Sequence, residues 1–264
     1  MADFHGTQEV VTDLREDGVL IMRINRPEKR NAINGATSAT MEDIMNKAEK
    51  DNRVRVIVVT GTGEKAFCAG EDLSELSSGG ECMTVTDHGF GGITDRLCPK
   101  PTICAVNGVA AGGGMEIAVS CDIVVAAEHA RFGLTEPKVG LIASTGGLVR
   151  MARDVPRKAA MDMLLTARLV HADDAKEIGF VNYVVPPEQH MHNALEIAST
   201  IGVPRNAKVI PTASASILVA TASTNISFIF NGTSSFFTTP SSSFFRDSTI
   251  IFPPINSSST KATQ

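Results

Sequence analysis

The run Val56-Ile57-Val58-Val59, closed by Thr60 and Gly61, offers no side chain that belongs in water on either face of a strand. Successive strand residues point to opposite faces, so an unbroken β-branched run demands cover on both, as in the sheets of α/β proteins. The pattern recurs at Thr102 to Val106 before Asn107-Gly108, and at Ile123 to Ala126 after a short Gly-led helix from about Gly113 to Cys121. Val10 to Thr12 and Val19 to Ile24 flank Glu16-Asp17-Gly18, which predicts a hairpin whose turn tolerates positive φ. Asn34 precedes a helical stripe of Met41, Ile44, Met45 and Ala48 that ends near Asp51. Helices are expected over about 146–167, 172–178 and 187–200, a strand over 180–185, and a glycine-rich loop over 61–70. Repeated strand and helix units joined by glycine-rich turns make residues 8–203 an α/β core.

Charge excludes some function classes. With 24 Lys and Arg against 29 Asp and Glu, the net charge is -5 and no basic run is present, so the footprint of a duplex nucleic-acid binder is missing. No apolar stretch reaches bilayer-spanning length, and Met1 to Asp13 lacks the apolar segment of a secretory signal, so a cytoplasmic protein without a membrane span is expected. Five cysteines without CxxC spacing fit a reduced compartment better than a disulfide framework or zinc site. His190 and His192, beside Glu188, find no third ligand at metal-binding spacing, so no metal is expected and a polar surface helix is the simpler reading. Gly61-Thr62-Gly63-Glu64-Lys65 and Gly108 to Gly114 match neither the P-loop nor the dinucleotide fingerprint, which argues against a mononucleotide or NAD site.

The chemistry is most legible in Gly112-Gly113-Gly114-Met115-Glu116-Ile117-Ala118-Val119. Glycines let a ligand approach the backbone, and a helix that starts there aims unpaired N–H groups and a partial positive charge at whatever lies in front. Such a turn suits a developing anion. Glu116 has apolar neighbours on every side, so its carboxyl is expected to be desolvated and fit for proton transfer, unless it pairs with a core Arg or caps the helix. A second carboxylate, Glu136, lies in Phe132-Gly133-Leu134-Thr135-Glu136-Pro137, where proline fixes the loop; taken alone it reads as an exposed acid. Facing each other beside an anion hole, the two would form an acid/base pair around an enolate, but spacing in sequence does not bring them together.

Four motifs in order resolve the class: INRPEKRNA (24–32), AFCAGEDL (66–73), PTICAVNGVAAGGGMEIAVSCD (101–122) and FGLTEPKVG (132–140), followed by LLTARLVHADDAKEIGFVNYVVP (164–186). Together they resemble the enoyl-CoA hydratase/isomerase (crotonase) family over residues 8–203. The resemblance implies a spiral of ββα units that binds an acyl-CoA thioester, whose carbonyl is polarised by the main-chain N–H groups of Glu71 and Gly113. Lys29 or Arg30 would lie near the CoA phosphates and Ala32 against adenine, with Ala69, Asp72, Leu73 and Gly112 completing the substrate-binding set. Coenzyme A enters as part of the substrate and no separate cofactor is implied. Glu at both positions resembles the hydratase pattern, with Glu116 as the base that activates water toward C3 and Glu136 as the acid that protonates C2. GFGGITDR (89–96) and FGLTEPKVGLIASTGGLVR (132–150) are similar to the carnitinyl-CoA dehydratase branch. A proline at Gly113 would remove one N–H donor at a helix position that tolerates proline.

Past residue 203 the composition changes. Ser and Thr occupy 22 of the 54 positions from 211 to 264, and seven of the chain's 12 Phe fall there, without helical stripe or strand alternation. Residues 204–264 therefore read as an atypical low-complexity tail, expected to be disordered. The family's further C-terminal helices, which cover the acyl pocket and pack in homotrimers or hexamers, have no recognisable counterpart. Two alternatives thus accompany the hydratase: a catalytically impaired relative with an aberrant C-terminus, and an enoyl-CoA isomerase or carnitinyl-CoA-type dehydratase.

Overall fold

The computed structural model describes residues 4–76 and 85–202, which lie within a unit ending at Pro204; the expected tail, 204–264, falls outside the described residues. The chain opens with a hairpin, β1 (Val10–Leu14) and β2 (Val19–Ile24), whose turn holds Gly18 at φ 83°. Helix α1 (Gly35–Lys50) follows; the Asn34 side chain caps it by accepting from the Thr37 N–H, and Met41, Ile44, Met45 and Ala48 form its buried stripe.

Three consecutive segments then repeat one plan. Strands β3 (Val56–Gly61), β7 (Thr102–Val106) and β9 (Ile123–Ala127) lie in parallel in a six-stranded sheet that ends on β12 (Tyr183–Val185), in the order β1-β2-β3-β7-β9-β12. Each is followed by a short strand in a second, four-stranded sheet: β4 (Ala66–Cys68), β8 (Val109–Ala111) and β10 (Arg131–Gly133), also parallel to one another. After each short strand comes a helical turn, namely α2 (Leu73–Leu76), α3 (Gly113–Ser120) and a 3₁₀ turn at Glu136–Val139. This is the spiral of ββα units that the family resemblance implies. A small hairpin, β5 (Val85–Thr86) and β6 (Gly89–Phe90), sits between the first two units. The chain continues through α4 (Gly147–Asp154), α5 (Arg157–Thr166), β11 (Val170–His171), α6 (Ala172–Ile178), β12 (Tyr183–Val185) and α7 (His190–Gly202).

The Val56–Val59 run is buried on both faces. Ile57 and Val59 join the main core with α1 and α3, whereas Val56 and Val58 join a second cluster closed by Ala194 and Ala198 of α7. Two expectations change. The loop expected over 61–70 contains β4, too short to announce itself until β8 pairs with it. The strand expected over 180–185 contracts to Tyr183–Val185, because Phe180 and Val181 are taken up by the buried turn that follows α6.

Candidate active site

Register in the small sheet builds the site. Gly133 pairs with Ala111, and the Gly112 N–H donates to the Gly133 carbonyl at 2.9 Å, so the glycine triplet and the Thr135–Glu136 turn meet although about twenty residues separate them. Both carboxylates of the sequence reading are thereby brought to one place.

The three glycines are required for different reasons. Gly112 has φ 55° and ψ -128°, a conformation that a side chain resists, and a β-carbon on it would lie 3.3 Å from Glu136 Oε1. A β-carbon on Gly113 would fall 2.5 Å from the Phe90 ring, and one on Gly114 would collide with the Cys68 carbonyl oxygen. The triplet therefore seats α3 against β4 and β6 as well as opening the turn. This corrects the expectation for Gly113, whose missing side chain makes room for Phe90; a proline ring there meets that aromatic even though the helix position is compatible with proline.

Gly113 is the first residue of α3, where an N–H has no intrahelical acceptor. Gly70, at φ 91°, comes so close that a β-carbon on it would lie 3.4 Å from the Gly113 nitrogen. Glu71 follows Gly70 directly, so the two main-chain segments named from the motifs run side by side. Half-buried Ala69 is tied back to the 26–33 loop by its N–H donating to the Arg30 carbonyl at 3.1 Å, and Leu73 is 50% exposed just beyond Asp72.

Glu116 is buried inside α3 at 3% exposure. Its partner is not a core Arg. Oε1 accepts from the Gly147 N–H at 2.9 Å and Oε2 from the Thr145 hydroxyl at 2.5 Å. Glu136 contrasts with it: Oε2 is buried without a hydrogen-bond partner. Burial, with the charge of Glu116 adding to it, pushes the Glu136 carboxyl up to about 7. One carboxyl is thus held by two donors, while the other is poised to keep a proton near neutral pH.

The loop that carries Lys29 and Arg30 is exposed, but it rests on a buried polar frame that the sequence reading did not single out. Arg26, 7% exposed, donates to the Ala32 carbonyl at 2.5 Å and to Asp72 Oδ2 at 2.9 Å, and lies 3.2 Å from Glu9. Asn31, at φ 56°, accepts from the Arg26 N–H and donates to the carbonyls of Thr62 and Ala66. The Ile33 N–H donates to the Gly70 carbonyl and the Asp72 N–H to that of Ile33. Asp72, read as substrate-binding, instead turns its carboxylate inward onto Arg26 and Ser74; the Ser74 hydroxyl and then Arg26 hold it below the usual carboxylate range against burial. Ala32 is buried beneath the loop at 8% exposure. Arg26 and Asn31 stood within the quoted INRPEKRNA, yet only pairing across 46 and 35 residues distinguishes them from Lys29 and Arg30. Phe90 lies in GFGGITDR and Thr145 and Gly147 in FGLTEPKVGLIASTGGLVR, but nothing local in either stretch marks their contacts with Gly113 and Glu116. His190 bonds through Nδ1 to the Pro187 carbonyl, as a surface helix tip would.

The enoyl-CoA hydratase/isomerase family model matches residues 14–243. The chain is 41% identical over 193 residues to a short-chain-enoyl-CoA hydratase of Clostridium acetobutylicum, covering 71% of this chain and 73% of that protein. It is 38% identical over 186 residues to a carnitinyl-CoA dehydratase of Salmonella arizonae, covering 70% and 71%. Among solved structures, a carnitinyl-CoA dehydratase from Mycobacterium avium superposes with a TM-score of 0.71 at 44% identity, covering 75% of this chain and 77% of that one.

Proposed function

The chain belongs to the enoyl-CoA hydratase/isomerase family, and we propose that it adds water reversibly across the C2–C3 double bond of a 2-enoyl-CoA thioester, with Glu116 and Glu136 as its acid/base pair. The observation that supports this most directly is the asymmetry of the pair: Glu116 accepts two hydrogen bonds, and Glu136 is pushed up to about 7 with a buried oxygen left without a partner. In hydration the Glu116 carboxylate takes a proton from water as the water oxygen bonds to C3. The C2–C3 π pair moves toward the thioester, and the enolate oxygen is held by the N–H groups of Glu71 and Gly113. Glu136 then gives its proton to C2. Dehydration runs the same path backwards, with the two carboxyls exchanging roles. Each step moves one proton between named atoms, so no further cofactor is needed and coenzyme A arrives as the substrate's handle.

General acid or base catalysis contributes about 10² to 10⁴ in rate, and one donor to a developing oxyanion about 3 to 4 kcal/mol. In this reading Lys29 and Arg30, exposed on their loop, offer cations to the nucleotide phosphates, and Ala69, Leu73 and Gly112 contribute to the acyl-CoA site. A short-chain-enoyl-CoA hydratase and a carnitinyl-CoA dehydratase both stand among the relatives, and assay of short-chain and carnitine-bearing enoyl thioesters decides between them. The test is loss of absorbance from the conjugated thioester on mixing with crotonyl-CoA. Absence of turnover across short, medium and carnitine-bearing enoyl thioesters overturns the proposal.

We further propose assembly as a homotrimer or hexamer. Val139, Leu141, Ile142, Val149 and Leu165 are exposed on or near α4 and α5, Ile142 at 66% and Leu165 at 72%, which is apolar area that association removes from water. Sedimentation tests it, and a monomer overturns it. Among the described residues, no helix is long and apolar enough to cross a membrane.

A further inference from the structure

Thr145 stands in the segment between the Glu136 turn and α4. Its hydroxyl donates to Glu116 Oε2, while the Gly147 N–H, first in α4, donates to Oε1. A β-carbon on Gly147 would lie 3.0 Å from Glu116 Oε1 and 2.9 Å from the Ala143 β-carbon, so only glycine allows the carboxylate that close to the N–H. Glu116 is therefore clamped at both oxygens from across the chain. Glu136, facing the same turn, has no such clamp on Oε2.

We infer that Thr145 is a positioning residue for the base of the pair: its hydroxyl, together with the Gly147 N–H, fixes the orientation of the Glu116 carboxylate. A hydroxyl has one proton to donate, and this one is aimed at the carboxylate. The Gly147 N–H does the same but is fixed by the backbone, so Thr145 is the half of the clamp that a side chain controls. Ionisable groups on the elements packed against α3 are Arg150, Arg153 and Asp154 of α4, Cys68 of β4 and Cys104 of β7; from the turn after β10, Glu136 couples electrostatically to Glu116.

The inference rests on the hydratase reading, so its test has one arm with turnover and one without. In the first, kcat/KM for crotonyl-CoA is followed against pH. Thr145→Val keeps the shape and loses the donor: kcat should fall about ten-fold with KM nearly unchanged, the scale of one hydrogen bond to a charged group, and the acidic limb should move. Thr145→Ser should restore both. In the second arm, ¹³C-labelled glutamate carboxyls are titrated by NMR, with Glu116→Gln identifying the signal. The Glu116 signal should move in Thr145→Val relative to the parent protein and return in Thr145→Ser. If the valine variant does not fold, Thr145→Ala is read in the same way. An acidic limb and an NMR titration unchanged by loss of the hydroxyl overturn the inference, as does failure of serine to restore them. If the parent protein turns over no enoyl thioester, the hydratase reading falls, and the NMR arm still decides whether Thr145 governs Glu116.

Discussion

At Gly113 a single missing side chain decides local packing, beside the N–H proposed as a donor to the thioester oxygen. That N–H opens α3, and the space where a β-carbon would be is filled by Phe90. Gly113→Pro is therefore predicted to destabilise the fold by about 1 to 3 kcal/mol through overpacking, in addition to removing the donor. Gly113→Ala should show most of the same loss in denaturant unfolding while keeping the N–H, and parent-like stability in both variants would contradict the packing argument. For Glu136 the prediction is chemical. Glu136→Gln should cut turnover at least about 100-fold, the low end for a general acid or base, while thioester binding survives; loss of binding with unchanged turnover per bound substrate would refute the role. Hydration by the parent protein should also fall as pH rises through about 7, because the acid form of Glu136 is then lost. The same shift has a stability consequence. A carboxyl raised from 4.5 to about 7 in the fold stabilises the protein below 4.5 and loses that contribution as pH rises through about 7. Relative to the parent, Glu136→Gln should gain about 1 to 2 kcal/mol at pH 8 after allowance for solvent screening of a half-buried group. That difference should vanish below pH 4.5.

Among the elements, the 26–33 loop and the β4–α2 connection behave as one piece, because Arg26 bridges them through Ala32 and Asp72. Asp72→Asn removes the buried partner of Arg26 and leaves it only the more exposed Glu9 as counter-charge, so the variant is predicted to cost about 1 to 3 kcal/mol. The sign with pH follows from the depressed Asp72 carboxyl: its stabilisation is present above the ordinary value of 3.8 and is lost as pH falls below it, so the gap between parent and variant should close in acid. Urea titrations at two pH values check this, and a gap that widened in acid would be inconsistent with the pair. Affinity for CoA itself should weaken in the same variant, since Lys29 and Arg30 ride on the loop that Arg26 holds.

For the molecule as a whole, α7 packs on one face of the six-stranded sheet over Val19, Val56, Val58 and Ile103. We propose that residues 1–204 fold without the remainder of the chain. A protein ended after Pro204 should unfold cooperatively, and limited proteolysis of the full chain should remove residues beyond about 211 first. Cleavage within the core while the tail stays intact would contradict the boundary at 203–204.

Periodicity and glycine chemistry act between near neighbours, which is why β3, β7, the Asn34-capped α1 and the Gly-led α3 were legible from the residues alone. The same local logic marked Glu116 as a carboxyl without access to water, and the order of four motifs identified the family. Distance between remote segments is another matter. The pairing of Ala111 with Gly133 sets Glu136 beside Gly112, and it depends on strand register, which no spacing along the chain records. Strand β4 has three residues and becomes a strand only against β8; Thr145 reads as one more small polar residue until α4 packs on α3 and aims its hydroxyl across 29 positions at Glu116. Local sequence determined which groups this protein can use, and tertiary packing decided which of them meet, because hydrogen bonding and desolvation fall off within a few ångströms while the residues that meet here lie twenty to forty-six positions apart.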